Sequence, residues 1–288
     1  MDFLKRYRQM IALRGLTDHT IKSYSTYISA YLDYLKDVLH KYPSQVNGQD
    51  LRDFINWIQT ERNLSDRTVN AVISQLRFFT LYVLHKPWDP TQLPFRRFDS
   101  YLPYVPSQED TYRFISTMSD IKPQAMCALM YSSGLRIGEV CHLRYEDVDR
   151  KNMRIHIRHS KSREDRFVPV SSYALKLLTQ YWYAYGRPTD WLFPKMYDPS
   201  RPIDTFYLSR HIHAHEEELG WPKKLTCHSF RHAYGTHLYE NGVDLLTIKA
   251  LMGHKSLEST VLYVHLAANR FSTIVSPFDR MMEAHHEK

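Results

Sequence analysis

The chain has 288 residues, a formal net charge of +7 and 43% hydrophobic residues. That apolar content is enough to build cores and argues against disorder. No run approaches the ~18 uninterrupted apolar residues of a membrane helix, so a spanning protein is excluded. With about 150 residues to a domain, two domains are expected. Cys127, Cys141 and Cys227 are too few and too scattered for a disulfide framework or a Cys-x-x-Cys zinc site. The start, Met1-Asp2-Phe3-Leu4-Lys5-Arg6, lacks the apolar run of a secretory signal. The expectation is a soluble protein of a reducing compartment. The positive excess makes nucleic acid a candidate partner, though alone it is weak evidence.

Glycine is scarce, at nine copies, and helical spacing recurs, so the chain reads as mainly α. A first helix follows Thr17, a plausible N-cap, with Ile21, Tyr24, Ile28, Tyr31, Leu32 and Leu35 at spacings of three and four. A second begins near Asp50, with Leu51, Phe54, Ile55 and Ile58 on one face. A third follows Ser65, with Val69, Val72, Ile73, Leu76, Phe79 and Val83 in phase. These three helices, or four, form a small bundle over residues 1–86. Pro87, Pro90, Pro94, Pro103 and Pro106 then resist continuous helix, so residues 87–106 read as a linker. Residues 1–104 carry a net +4 and residues 105–288 a net +3, so both halves share the basic excess.

Residues 107–288 read as a second, mixed α/β domain. Ser107 caps its first helix. Another runs from about Lys122 to Ser132, with Gly134 suited to its end. The period then changes. Met153, Ile155 and Ile157 alternate with polar neighbours, and Phe167-Val168-Pro169-Val170 reads as the partner strand of an antiparallel hairpin. From Tyr173 onward the pattern is helical again.

Candidate chemistry concentrates in the last third. On a helix, His228 and Arg231 are i and i+3, share a face, and can both donate to one anion. Arg136 directly follows a glycine-ended helix where a new one starts, which brings a guanidinium close to free backbone amides. Glu139, three residues on, can hold it. Lys161 sits at the hairpin tip and can reach into a site. His211, His213 and His215 lack a third ligand type nearby and read as an exposed helix face, not a metal site. His265 and Cys227 read as structural.

Together these residues resemble a tyrosine recombinase of the phage-integrase and Xer type. The family's first box resembles Gly134-Leu135-Arg136-Ile137-Gly138-Glu139, and its lysine hairpin resembles Lys161 with Arg166 ahead of Val168-Pro169-Val170. Its second box resembles His228-Ser229-Phe230-Arg231-His232, its third Leu251-Met252-Gly253-His254, and its nucleophile segment Ser259 through His265 around Tyr263. His254 lies 23 positions after Arg231, and Tyr263 nine after His254, intervals typical of the family. Residues 15–24 and 67–79 resemble its N-terminal core-binding domain. Two departures are small: Ser160 and Ser162 flank Lys161 where relatives often have glycines, and Gly138 stands where they often have serine.

The resemblance implies a site-specific DNA recombinase or integrase, cytoplasmic and nucleoid-associated. Tyr263 is then the nucleophile, giving a 3′-phosphotyrosine. Arg136 and Arg231 hold the phosphate, and His228 and His254 add hydrogen bonds, with His228 the better acceptor of the tyrosine proton. Lys161 protonates the leaving oxygen. No cofactor and no metal are implied. The partner is double-stranded DNA bearing recombination sites, held by a homo-tetramer in which the C-terminal tail, with Ile274, Phe278, Met281 and Met282, docks on a neighbour. Two rivals are weighed: a type IB topoisomerase, which uses a similar residue set but against which the Xer-like core-binding half and the short tail argue, and a catalytically idle DNA-binding protein on the same fold, against which the complete residue set argues.

Overall fold

The computed structural model describes residues 2–99, 101–158, 165–267 and 276–286. The chain divides into two compact units, residues 1–100 and 101–288, each with its own core.

The first unit is built from α1 (Phe3–Ala12), α2 (Asp18–Asp37), α3 (Gly48–Arg62) and α4 (Asp66–Tyr82). Helix starts follow the local chemistry. Thr17 accepts from the Thr20 amide at 3.3 Å, Asn47 from Asp50 at 3.0 Å and Ser65 from Thr68 at 3.4 Å. Each such cap satisfies an otherwise orphaned amide and contributes about 1 kcal/mol. The stripes converge on a core of Tyr7, Ile28, Tyr31, Phe54, Ile58, Val72 and Phe79. The Tyr7 hydroxyl reaches that core only because it donates to Gln75 Oε1 at 2.7 Å.

The stretch after residue 87 avoids helix but stays on this unit. Leu93 is buried in the helical core. Asn70 acts like a strand neighbour for Arg96, its amide donating to the Arg96 carbonyl at 2.9 Å and its oxygen accepting from the Arg96 amide at 2.8 Å. Proline removes helix propensity without preventing this kind of packing.

The second unit opens with α5 (Gln108–Ser116), capped by Ser107, and α6 (Ile121–Ser133), which ends at Gly134. The short α7 (Ile137–Cys141) follows. A three-stranded antiparallel sheet comes next, in the order β1 (Val148–Asp149), β2 (Arg154–Ile157), β3 (Arg166–Pro169). Ile155 pairs with Val168, and both turn into the core with Ile157. Met153, expected to begin β2, instead has φ of 53° and is partly exposed. Its carbonyl accepts from the Val170 amide at 3.0 Å, closing the end of the ladder.

The remaining helices are α8 (Ser172–Ala184), α9 (Thr205–Leu219), α10 (Cys227–Glu240), α11 (Leu245–Met252), α12 (Glu258–Leu266) and α13 (Pro277–His286). α6 is apolar on most sides because it is the central helix, packed against α8 and α10. No helix among the described residues is long and apolar enough to cross a membrane. The architecture is mainly α with a small antiparallel sheet, as expected.

One expectation needs correcting. Of the three histidines on α9, His215 is buried rather than exposed. Its Nε2 lies 3.1 Å from the Phe114 carbonyl and 3.0 Å from Thr117 Oγ1, tying α9 to α5. His215 follows Leu208 and Ile212 at spacings of seven and three, so it falls on the buried stripe of α9, where these partners satisfy its imidazole. His211 and His213 bond separately, to the Tyr207 carbonyl and to Glu216. Among the described residues no cluster of histidine, cysteine and carboxylate is arranged to hold a metal.

Candidate active site

The site forms where the ends of α7, α10 and α11 meet α12. Arg136 is the residue preceding α7, and Glu139 folds back to it: its Oε2 accepts from the Arg136 amide at 2.8 Å and its Oε1 from Nη1 at 2.9 Å. Arg166, the first residue of β3, clamps the same carboxylate with both terminal nitrogens, at 3.0 and 2.9 Å. Arg231 Nη1 stands 4.0 Å away. One buried acid therefore organises three arginines. Burial alone would raise its pKa, but the hydrogen bonds and charge of Arg166, then those of Arg136, hold it below the usual carboxylate range.

The arginines also grip the C-terminal end of α11, where helix carbonyls lack partners and favour cations. Arg136 Nη2 donates to the Gly253 carbonyl at 3.1 Å. Arg231 Nη2 donates to Met252 at 2.6 Å, and its Nη1 to Gly134. Arg166 Nε donates to Leu251 at 3.1 Å. Gly253 is required at this junction. Its φ is 61°, and a Cβ there would lie 3.1 Å from the Arg166 guanidinium. Arg231 is nearly sealed, with 5% of its side chain exposed, whereas Arg136 keeps 22%. Burial first, and then the Arg136 charge, lower the Arg231 pKa to about 10, which leaves it cationic at neutral pH.

Tyr263 lies on α12 in a small core with Tyr234, Ile248 and Met252, and is 1% exposed. Its ring rests on the bare backbone of Gly235 in α10, where a Cβ would come within 2.5 Å of Tyr263 Cζ. Burial pushes the phenol up to about 12, against the lowering influence of Arg231 and Arg136. Two imidazoles flank it. His254 is stacked on the ring, 6.1 Å between centroids and 17° between planes. Its Nδ1 pairs with Thr260 Oγ1 at 3.0 Å. His232 stands 6.2 Å away on the other neighbouring helix. Burial lowers both histidines to about 4, helped at His254 by Arg231 and at His232 by His228, so both are neutral at pH 7.

The structure thus brings Arg136, Arg231, His254 and Tyr263 together. His228 is exposed in the first turn of α10, beside His232 at 6.2 Å. Lys161 lies outside the described residues. An arginine pair, neutral imidazoles and a buried phenol form a set able to hold a phosphodiester and receive a tyrosine proton, and the acid among them, Glu139, is taken up by arginines.

Comparison with known proteins matches residues 107–270 to the Phage integrase family, and residues 3–90 to the Phage integrase, N-terminal SAM-like domain. The chain belongs to the phage integrase family. It is a tyrosine recombinase by class. It is 32% identical to y4eF of Sinorhizobium fredii, a protein carrying an integrase/recombinase name, over 80% of this chain and 92% of that one. It is 27% identical to tyrosine recombinase XerD of Listeria monocytogenes, over 93% and 95% of the two chains. Among solved structures, it superposes on the Tn1549 transposon integrase in complex with circular intermediate DNA with a TM-score of 0.73, at 18% identity and 99% coverage of both chains.

Three members of the site were not singled out from sequence for what they do here: His232, Thr260 and Gly235. His232 was visible only as part of a box, and its closeness to Tyr263 depends on how α10 meets α12. Gly235 in a helix interior was the one available signal, since glycine there costs up to about 1 kcal/mol unless something must come close.

Proposed function

We propose that this integrase-family chain breaks and rejoins DNA strands at specific sites through a covalent link on Tyr263. The supporting observation is the convergence of two arginines and two neutral imidazoles on the buried Tyr263 ring. In this reading, residues 107–288 form the catalytic domain, residues 1–86 the core-binding domain, and residues 87–106 the connection.

The chemistry follows from the charges. A phenol raised to about 12 is a poor nucleophile until its proton leaves. That proton passes to an imidazole. His228 is the acceptor we assign, and His232, between it and Tyr263, offers a neutral intermediate station. The Tyr263 oxygen bonds to phosphorus as the bond to the 5′ oxygen breaks. Lys161 gives that oxygen a proton, so the strand leaves as a 5′-hydroxyl. Arg136 and Arg231 hold the non-bridging oxygens, fixed cations already oriented before reaction. Attack by a 5′-hydroxyl from the partner duplex reverses each step and restores Tyr263. The phosphodiester energy is kept in the protein link, and two rounds of exchange through a four-way junction complete recombination. The cations meet the charge demand, so we assign no metal or cofactor.

The partner is double-stranded DNA, by analogy with the DNA-bound Tn1549 integrase and XerH structures. We place the protein at the nucleoid for the same reason. We assign assembly into a tetramer to α13, whose Phe278, Met281 and Met282 are exposed at 61%, 48% and 40%. Apolar side chains so placed have a reason if a second copy covers them.

The test is a nicked duplex library in which cleavage releases a short fragment bearing the 5′-hydroxyl and traps the protein on DNA. Wild type is expected to accumulate covalent adducts, and Tyr263→Phe to bind DNA without forming them. Adducts from Tyr263→Phe would overturn the assignment.

A further inference from the structure

Beside the site lies a cleft of about 260 Å³ that the chemistry above does not use. It is bounded by Asp165 and Arg166 at the start of β3, by Lys249 on α11, and by His254 and Lys255 after it. We infer that this cleft binds a second DNA phosphate, the neighbour of the reacting one on the cleaved strand, through Lys249 and Lys255. This deepens the strand-transfer reading and rests on it.

Charge makes the argument. A phosphodiester carries one negative charge, and Arg136 and Arg231 suffice to receive it. Among the described residues around site and cleft stand three arginines and two lysines against two carboxylates, Glu139 and Asp165. Glu139 is committed to the arginines. Asp165 faces His156 Nε2 at 3.3 Å and remains 55% exposed. The positive charge left over exceeds what a single phosphate neutralises. Lysine is also the right residue for this task. A flexible ammonium acts as a point charge on a phosphate whose position shifts during reaction, while the arginine forks hold fixed geometry.

Continuity supports the same occupant. His254 belongs to both places: its ring stacks on Tyr263 and also lines the cleft. Arg166 forms the wall between them, with its guanidinium on Glu139 and its Nε on the α11 end. In this proposal a strand with one phosphate against Arg136 and His254 continues past Arg166 into the space beside Lys249 and Lys255.

The test has two arms. In the first, duplex of arbitrary sequence is titrated at several salt concentrations with wild type and with Lys249→Gln/Lys255→Gln. Losing one phosphate contact lowers the log–log salt slope by about 0.9, whereas Lys249→Arg/Lys255→Arg keeps it. This arm needs no catalysis, so it reports on the cleft even if no adduct ever forms. In the second, methylphosphonates replace single phosphates next to the cleavage position, on a site recovered from trapped DNA. Neutralising the flanking phosphate is expected to slow adduct formation by wild type, and to cause no further loss in the glutamine variant. An unchanged slope, or an equal methylphosphonate penalty in both proteins, overturns the cleft. Absence of any wild-type adduct counts instead against the strand-transfer reading.

Discussion

Glu139 holds the site together as a single charged residue. It is 7% exposed and bonded to Arg136 and Arg166, with Arg231 at its edge. Removing one member of a buried ionic set leaves the others unpaired, at a cost of about 3–5 kcal/mol. Glu139→Gln is therefore expected to lower the melting temperature sharply and to loosen Arg136, and a calorimetric melt unchanged from wild type would refute this. The histidines make a separate prediction about pH. His232 and His254 take up protons only near pH 4 when folded, against an ordinary value of 6.5. Protonation thus favours the unfolded chain. Stability is complete above about pH 6.5 and falls as the pH drops toward about 4. Melts across that range should show the decline, and His232→Gln/His254→Gln should flatten it. At Gly235, alanine would force its Cβ onto Tyr263. Overpacking of this kind costs about 1–3 kcal/mol, so Gly235→Ala should melt lower and form adducts more slowly. Normal behaviour of that variant would mean the ring is not held there.

At the scale of elements, helix starts were legible because a cap needs only its own neighbours. Thr17, Ser65 and Ser107 each bond an amide three residues on. The two strands that carry Ile155 and Val168 were legible because alternation survives in a strand buried on one face, while their register came from the structure. Other features needed the tertiary structure. α1 buries only Tyr7 and Ile11 fully, too sparse a stripe to stand out. Met153 left the strand because it is itself the last residue of the turn, with a φ of 53°, which side-chain pattern does not report. Leu93 reached a core that local proline content gave no reason to expect. The site divides in the same way. Arg136, Arg231, His254 and Tyr263 were readable from motif and interval, while the flanking of Tyr263 by His232 depends on which helices touch. Ending the chain before Pro277 should leave the melt of the remainder nearly unchanged, while lowering the size of the complex assembled on DNA by light scattering. A large loss of stability would mean α13 packs on its own chain instead.

At the scale of the molecule, two units with separate cores each carry a basic excess. That distribution suits a protein that meets DNA with both units, and binding is expected to weaken steeply as salt rises. The bulk charge matters less than its placement. Three arginines are drawn together by one carboxylate at the end of α11, and a buried tyrosine waits beside them with neutral bases on either side. The central claim is that Tyr263 becomes covalently joined to the 3′ end of a cleaved strand. Trapped adducts digested with nuclease and protease, then sequenced by mass spectrometry, test it directly. The account predicts a single modified peptide containing Tyr263, carrying a nucleotide through its 3′ phosphate. A nucleotide on another residue, or attached through a 5′ phosphate, would contradict it.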